Sequence, residues 1–75
     1  MRSVQNFTAI IERENNGFVA LCPELDIASQ GNTVEEAKLN LQEAIELFFE
    51  HASKDEISYR LKNDVFITNM QIAVA

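Results

Sequence analysis

Residues 21–37 (Leu-Cys-Pro-Glu-Leu-Asp-Ile-Ala-Ser-Gln-Gly-Asn-Thr-Val-Glu-Glu-Ala) constrain this chain most. They hold its only proline, its only cysteine and one of its two glycines. Pro23 has no N–H for a ladder and should stop the strand before it. Gly31 tolerates φ > 0 and suits a tight exit from a short strand around Ile27. Thr33 then reads as an N-cap. Its hydroxyl accepts from the Glu36 N–H, and the Glu36 carboxylate reaches back to the Thr33 N–H. Val34, Ala37 and Leu41 open a buried stripe behind that cap. The stretch predicts strand end, turn, short strand, glycine turn and capped helix.

Upstream lie the strands. Over residues 7–12 Phe7, Ala9 and Ile11 alternate with Thr8, Ile10 and Glu12, a period of two. Glu14-Asn15-Asn16-Gly17 is a hairpin turn. The return strand, 18–22, is apolar on both faces, which suits a central strand, and a third strand covers about 26–30. Downstream, Val34, Ala37, Leu41, Ala44, Ile45, Phe48 and Ala52 predict one helix from Val34 to about His51. Leu39, Leu47 and Phe49 fall outside its stripe and are expected at a contact between copies. A second capping box, Ser53 to Glu56, opens a short helix carrying Ile57 and Leu61. Residues 65–74 alternate again and predict a long closing strand. Left as a bare edge it would be a liability, so Ile67 and Met70 join the expected oligomer contacts. The predicted fold is α+β, in the order β-β-β-α-β. A three-stranded meander carries one long helix on one face, and the last strand returns parallel to the first in order 3-2-1-4, by a right-handed crossover.

Seventy-five residues make one small domain, which buries about 60% of its unfolded surface. One cysteine allows no internal disulfide, and one cysteine with one histidine allows no metal quartet. Small domains without such staples gain stability by association, so a homodimer or larger is expected. No apolar run approaches a membrane span, the N-terminus lacks a signal core, and a lone thiol suits a cytoplasmic protein. The net charge is −6. Through Glu50 the chain has nine acids (12, 14, 24, 26, 35, 36, 43, 46, 50) against three bases (Arg2, Arg13, Lys38), and the rest balances. That argues against phosphate-backbone binding and for solubility or a basic partner.

No catalytic constellation emerges, and no cofactor is implied. Glu12, Glu24 and Asp26 could gather around Mg²⁺, but nothing in their spacing forces convergence, and solvated edge and turn positions account for them. His51 suits a helix C-terminus, and Cys22 suits a buried small hydrophobe. Neither glycine belongs to a phosphate-cradling loop. The expectation is a binding module and not an enzyme.

The residues 7–12 (Phe-Thr-Ala-Ile-Ile-Glu), 17–25 (Gly-Phe-Val-Ala-Leu-Cys-Pro-Glu-Leu), 29–37 (Ser-Gln-Gly-Asn-Thr-Val-Glu-Glu-Ala) and 43–47 (Glu-Ala-Ile-Glu-Leu) resemble the N-terminal domain of HicB-family antitoxins. Residues 65–74 look like the closing strand of short members. The resemblance implies a cut-down ribonuclease-H-like sheet without the active-site carboxylates. It also implies oligomerisation and the masking of HicA, a small basic ribonuclease toxin. Full-length HicB antitoxins add a C-terminal DNA-binding domain, for which these 75 residues leave no room. The partner-binding candidates are Glu12, Glu14, Glu24, Asp26 and Glu35, with Leu25 and Ile27 either filling a pocket on the partner or lying in the core. The alternatives are an orphan structural or regulatory oligomer and a vestigial Mg²⁺ nuclease.

Overall fold

A computed structural model describes residues 4–62 and 64–75. The fold is α+β, with a three-stranded antiparallel sheet and two helices. Strands β1 (Ile10–Glu14), β2 (Gly17–Cys22) and β3 (Ile27–Gly31) lie in the order β1-β2-β3, with β2 in the middle as its sequence suggests. Helix α1 runs Val34–His51 and helix α2 runs Lys54–Leu61.

The hairpin loop is Asn15-Asn16, with Glu14 opposite Gly17. Asn15 takes the positive φ, at 55°. Asp26 is the other non-glycine residue in the left-handed region, at 54°. Both residue types bear that conformation better than most. Gly31 is therefore needed for a different reason from the one expected. A Cβ there would lie 2.5 Å from the Ala37 nitrogen, so glycine lets α1 seat against the end of β3. A Cβ on Gly17 would in turn lie 2.9 Å from the Gly31 oxygen.

Thr33 caps α1, its hydroxyl accepting from the Glu36 N–H at 3.0 Å. The returning Glu36 carboxylate accepts from Asn32, one residue earlier than expected, at 3.1 Å. Ser53 caps α2 in the same way at 3.1 Å. Helix α1 covers one sheet face, lying mainly over β3 and β2 and barely reaching β1. Beneath it Ala20, Cys22, Leu25, Ala37 and Leu41 form the core, with Phe7, Ile11, Phe18, Ile27, Ile45, Phe48 and Phe49 packed around them. Val34, expected in the stripe, is exposed.

The closing strand is the main correction. Residues 64–75 belong to no sheet, so the observed order is β-β-β-α-α with an unpaired tail. No turn or bend interrupts that tail, and all of it is exposed. The radius of gyration is 14.7 Å, against about 11 Å for a compact chain of this length. Alternation marked the segment as strand-like, but a strand exists only where a neighbouring backbone answers its N–H and C=O groups.

Candidate interaction surface

Register and the two-residue period divide the sheet into two faces. Ile11 opposite Ala20, and Cys22 opposite Ile27, look toward α1. The other face carries a row of Ile10, Leu21 and Ala28, and beside it a row of Glu12, Val19 and Gln30. No helix covers that face among the described residues. Ile10, Val19 and Leu21 are half-buried, Ala28 and Gln30 are exposed, and Val19, Ala28, Ser29 and Gln30 line a shallow hollow. Glu12 and Glu14 are exposed along the β1 side. The result is an apolar patch with a carboxylate margin.

The sequence candidates divide sharply. Glu12 and Glu14 share this face. Asp26 is exposed in the β2–β3 turn, and Glu35 is exposed in the first turn of α1, away from the sheet's open face. Leu25 is 0% exposed, so it belongs to the core and has no surface to offer a partner. Ile27 packs against that core. Glu24 is used internally. Both of its carboxylate oxygens accept from the Thr8 N–H at 3.1 Å, and Oε2 accepts from the Thr8 hydroxyl at 2.6 Å. The Cys22 thiol donates to Oε1 at 3.5 Å.

That cluster lies just beyond the end of the β1–β2 ladder. Pairing of β1 with β2 ends at Ile10 opposite Leu21, and the same register, continued two residues, would bring Thr8 opposite the proline. The Glu24 side chain supplies the acceptor and ties the chain entering β1 to the β2–β3 turn. Partial burial works against the Glu24 charge. The bonds from the Thr8 hydroxyl, the backbone amides and the Cys22 thiol outweigh it and hold the carboxyl below its ordinary value. Burial pushes the Cys22 thiol up, with the neighbouring Glu24 adding to the rise, which disfavours the thiolate. With Glu24 engaged, the three carboxylates weighed for Mg²⁺ are not gathered. The described residues hold no group of three or more His, Cys, Asp or Glu able to take a metal ion.

The expected oligomer contacts also divide. Leu39 and Leu47 are exposed on α1, and Ile67 and Met70 are exposed on the tail. Phe49 instead packs on Phe7 at 5.9 Å between ring centroids and on Phe48 at 5.4 Å. Arg60 fastens α2 to the same turn as Glu24, donating to the Leu25 carbonyl at 2.6 Å and the Asp26 carbonyl at 3.2 Å. Its guanidinium also lies 5.5 Å from the Phe48 ring centroid. His51 is exposed at the end of α1. Sequence reasoning missed Ile10, Val19, Leu21 and Ala28 as a surface. The signal is there, since Val19 and Leu21 make the second face of 18–22 apolar, which marks a central strand but does not say whether a helix covers that face.

Comparison with known proteins settles the kinship. The chain is 40% identical over 68 residues to a UPF0150 protein of Helicobacter pylori, covering 89% of this chain and 94% of the relative. It belongs to the UPF0150 family. Two further UPF0150 proteins, both from Synechocystis, share 45% identity over 51 residues and 48% over 50. Those matches cover 65% and 64% of this chain, and 65% and 69% of the relatives. No family model matches the chain, and no solved structure is a significant match. Among its described residues this UPF0150 protein has no helix long and apolar enough to cross a membrane.

Proposed function

We propose that this protein is a HicB-like binding module that masks a small basic ribonuclease by covering it with the open face of the sheet. The observation that carries this reading is the uncovered row of Ile10, Leu21 and Ala28, with Val19 beside it and Glu12 and Glu14 at the margin. An apolar centre supplies affinity, and a charged margin supplies steering and partner choice. The acids that steer a basic partner also repel RNA, so one surface competes with the toxin's substrate without binding it. The kinship to a partial ribonuclease-H-like sheet is part of the same proposal, resting on the meander and its one-sided helix.

Co-expression with a small basic reading frame from the gene's neighbourhood tests it. The toxin alone arrests growth, and this chain restores it. Glu12→Lys with Glu14→Lys slows association about tenfold or more and reduces its dependence on salt. Val19→Asp abolishes masking while circular dichroism shows the fold retained. Masking that survives Val19→Asp overturns the reading. The second reading, an orphan structural or regulatory oligomer, is favoured by the exposed, largely apolar residues 65–74, which carry no charged side chain. It takes first place if low-salt capture yields no basic protein.

A further inference from the structure

The tail beyond α2 is the largest feature that the core and the open sheet face leave without a role. Phe66 is 89% exposed, Met70 83%, Ile72 68% and Val74 87%. Scattered single hydrophobes are ordinary at a protein surface, but a contiguous exposed run of this kind marks an interaction site.

Its pattern says what it fits. Phe66, Thr68, Met70, Ile72 and Val74 form one side of an extended segment, and Val65, Ile67, Asn69, Gln71 and Ala73 form the other. A strand with one apolar side and one mixed side belongs at the margin of a sheet whose inner face lies under a helix.

Among the described residues the outer edge of β1 is such a vacancy. The alternation of an antiparallel ladder turns the N–H and C=O of every second β1 residue outward, away from β2. Among the described residues nothing bonds to that outer edge. The opposite edge is less open, because α1 lies along β3 and the Asn40 side chain donates to the Gln30 carbonyl at 2.7 Å. Helix α1 also stops short of β1, leaving Phe7, Ile11 and Phe49 only half-buried there. One added strand would bond the edge and cover those three side chains together.

We propose that residues 65–74 are donated to a second copy of this chain, laid along the outer edge of that copy's β1, with the exchange reciprocal. The Phe66, Met70, Ile72 side packs on Phe7, Ile11 and Phe49 of the recipient, and Asn69 and Gln71 face the other way.

Charge favours this route between copies. Each chain carries −6, yet residues 65–75 contain no charged side chain, so the acidic bodies meet through their neutral segment. The hinge favours exchange as well. Arg60 anchors α2 to the β2–β3 turn, and only residues 62–64 separate Leu61 from the donated segment. Short hinges promote swapping over closure within one chain. The ten donated residues, with the strand and helix flank that receive them, approach the roughly 20–30 residues a side of a stable interface.

The test uses the full chain and no other protein, so its result is independent of whether a basic partner exists. Sedimentation velocity gives a dimer at micromolar concentration. In a sample mixing isotope-labelled and unlabelled chains, filtered NOEs connect Met70 and Ile72 of one copy to Phe7 and Ile11 of the other. Met70→Lys or Ile72→Lys weakens the dimer about tenfold or more, whereas Asn69→Lys and Gln71→Lys leave it largely intact. A monomer, NOEs from the tail only within one chain, NOEs only between two tails, or equal sensitivity of both sets of positions each overturns the proposal.

Discussion

Strand β1 and the tail carry the same kind of signal and meet opposite fates. Residues 7–12, which lead into β1, and residues 65–74 both alternate with a period of two, and both place apolar side chains on each face. β1 is joined to β2 by a two-residue loop, so its ladder forms at little cost in loop-closure entropy. The tail follows two helices, of which α2 is tied to the β2–β3 turn through Arg60. Alternation specifies which residues share a face but not which backbone completes the ladder. In β1 the partner is local and obligatory. For the tail it must be supplied from farther away, and a strand segment without a neighbour stays exposed.

The comparison is broken most severely at Gly31. Gly31→Val drives side-chain atoms into the backbone at Glu36 and Ala37, where a single Cβ already comes within 2.5 Å. The expected loss is about 3 kcal/mol, which leaves a domain of this size largely unfolded by circular dichroism at 25 °C. The body then becomes as unpartnered as the tail.

Glu24→Gln comes next. It replaces a charged acceptor of three Thr8 and Cys22 donors by one carbonyl, at about 1–2 kcal/mol in urea titration. The same residue sets a pH dependence. Its folded pKa lies below the ordinary 4.5. The stabilisation is therefore fully present above that value and is lost as pH falls through the lower, folded one. Thermal midpoints measured from pH 6 down to pH 3 should fall for the native chain and fall less steeply for Glu24→Gln.

Thr33→Ala removes the hydroxyl that accepts from Glu36 and should cost about 1 kcal/mol by thermal melt, without altering the sheet. The smallest effect sharpens the contrast from the other side. Met70→Ser, studied at concentrations low enough to keep chains apart, should shift the urea midpoint of the body by no more than about 0.5 kcal/mol equivalent. Ile11→Ser, at the matching alternation in β1, should cost several times as much because Ile11 packs against the core.

Much of the fold was legible in local chemistry. Thr33 and Ser53 with their glutamates mark both helix starts, the apolar stripe sets the length of α1, and Asn15-Asn16 between two alternating runs sets the hairpin. The surface was less legible. Glu24 reads as a free turn carboxylate until the fold brings Thr8, beyond the end of the β1–β2 ladder, within reach of it. Leu25 reads equally well as contact or core.

What the sequence determined by itself is therefore what neighbours along the chain decide: capping, periodicity, turn position and the sign of the surface charge. What only the tertiary structure decided depends on residues far apart in sequence. It seated Leu25 in the core, turned Glu24 inward, made Gly31 a point of close approach rather than of unusual φ, and left one sheet face and one tail without cover. The physical reason is that burial and backbone pairing belong to two surfaces at once, and a sequence pattern describes only one of them.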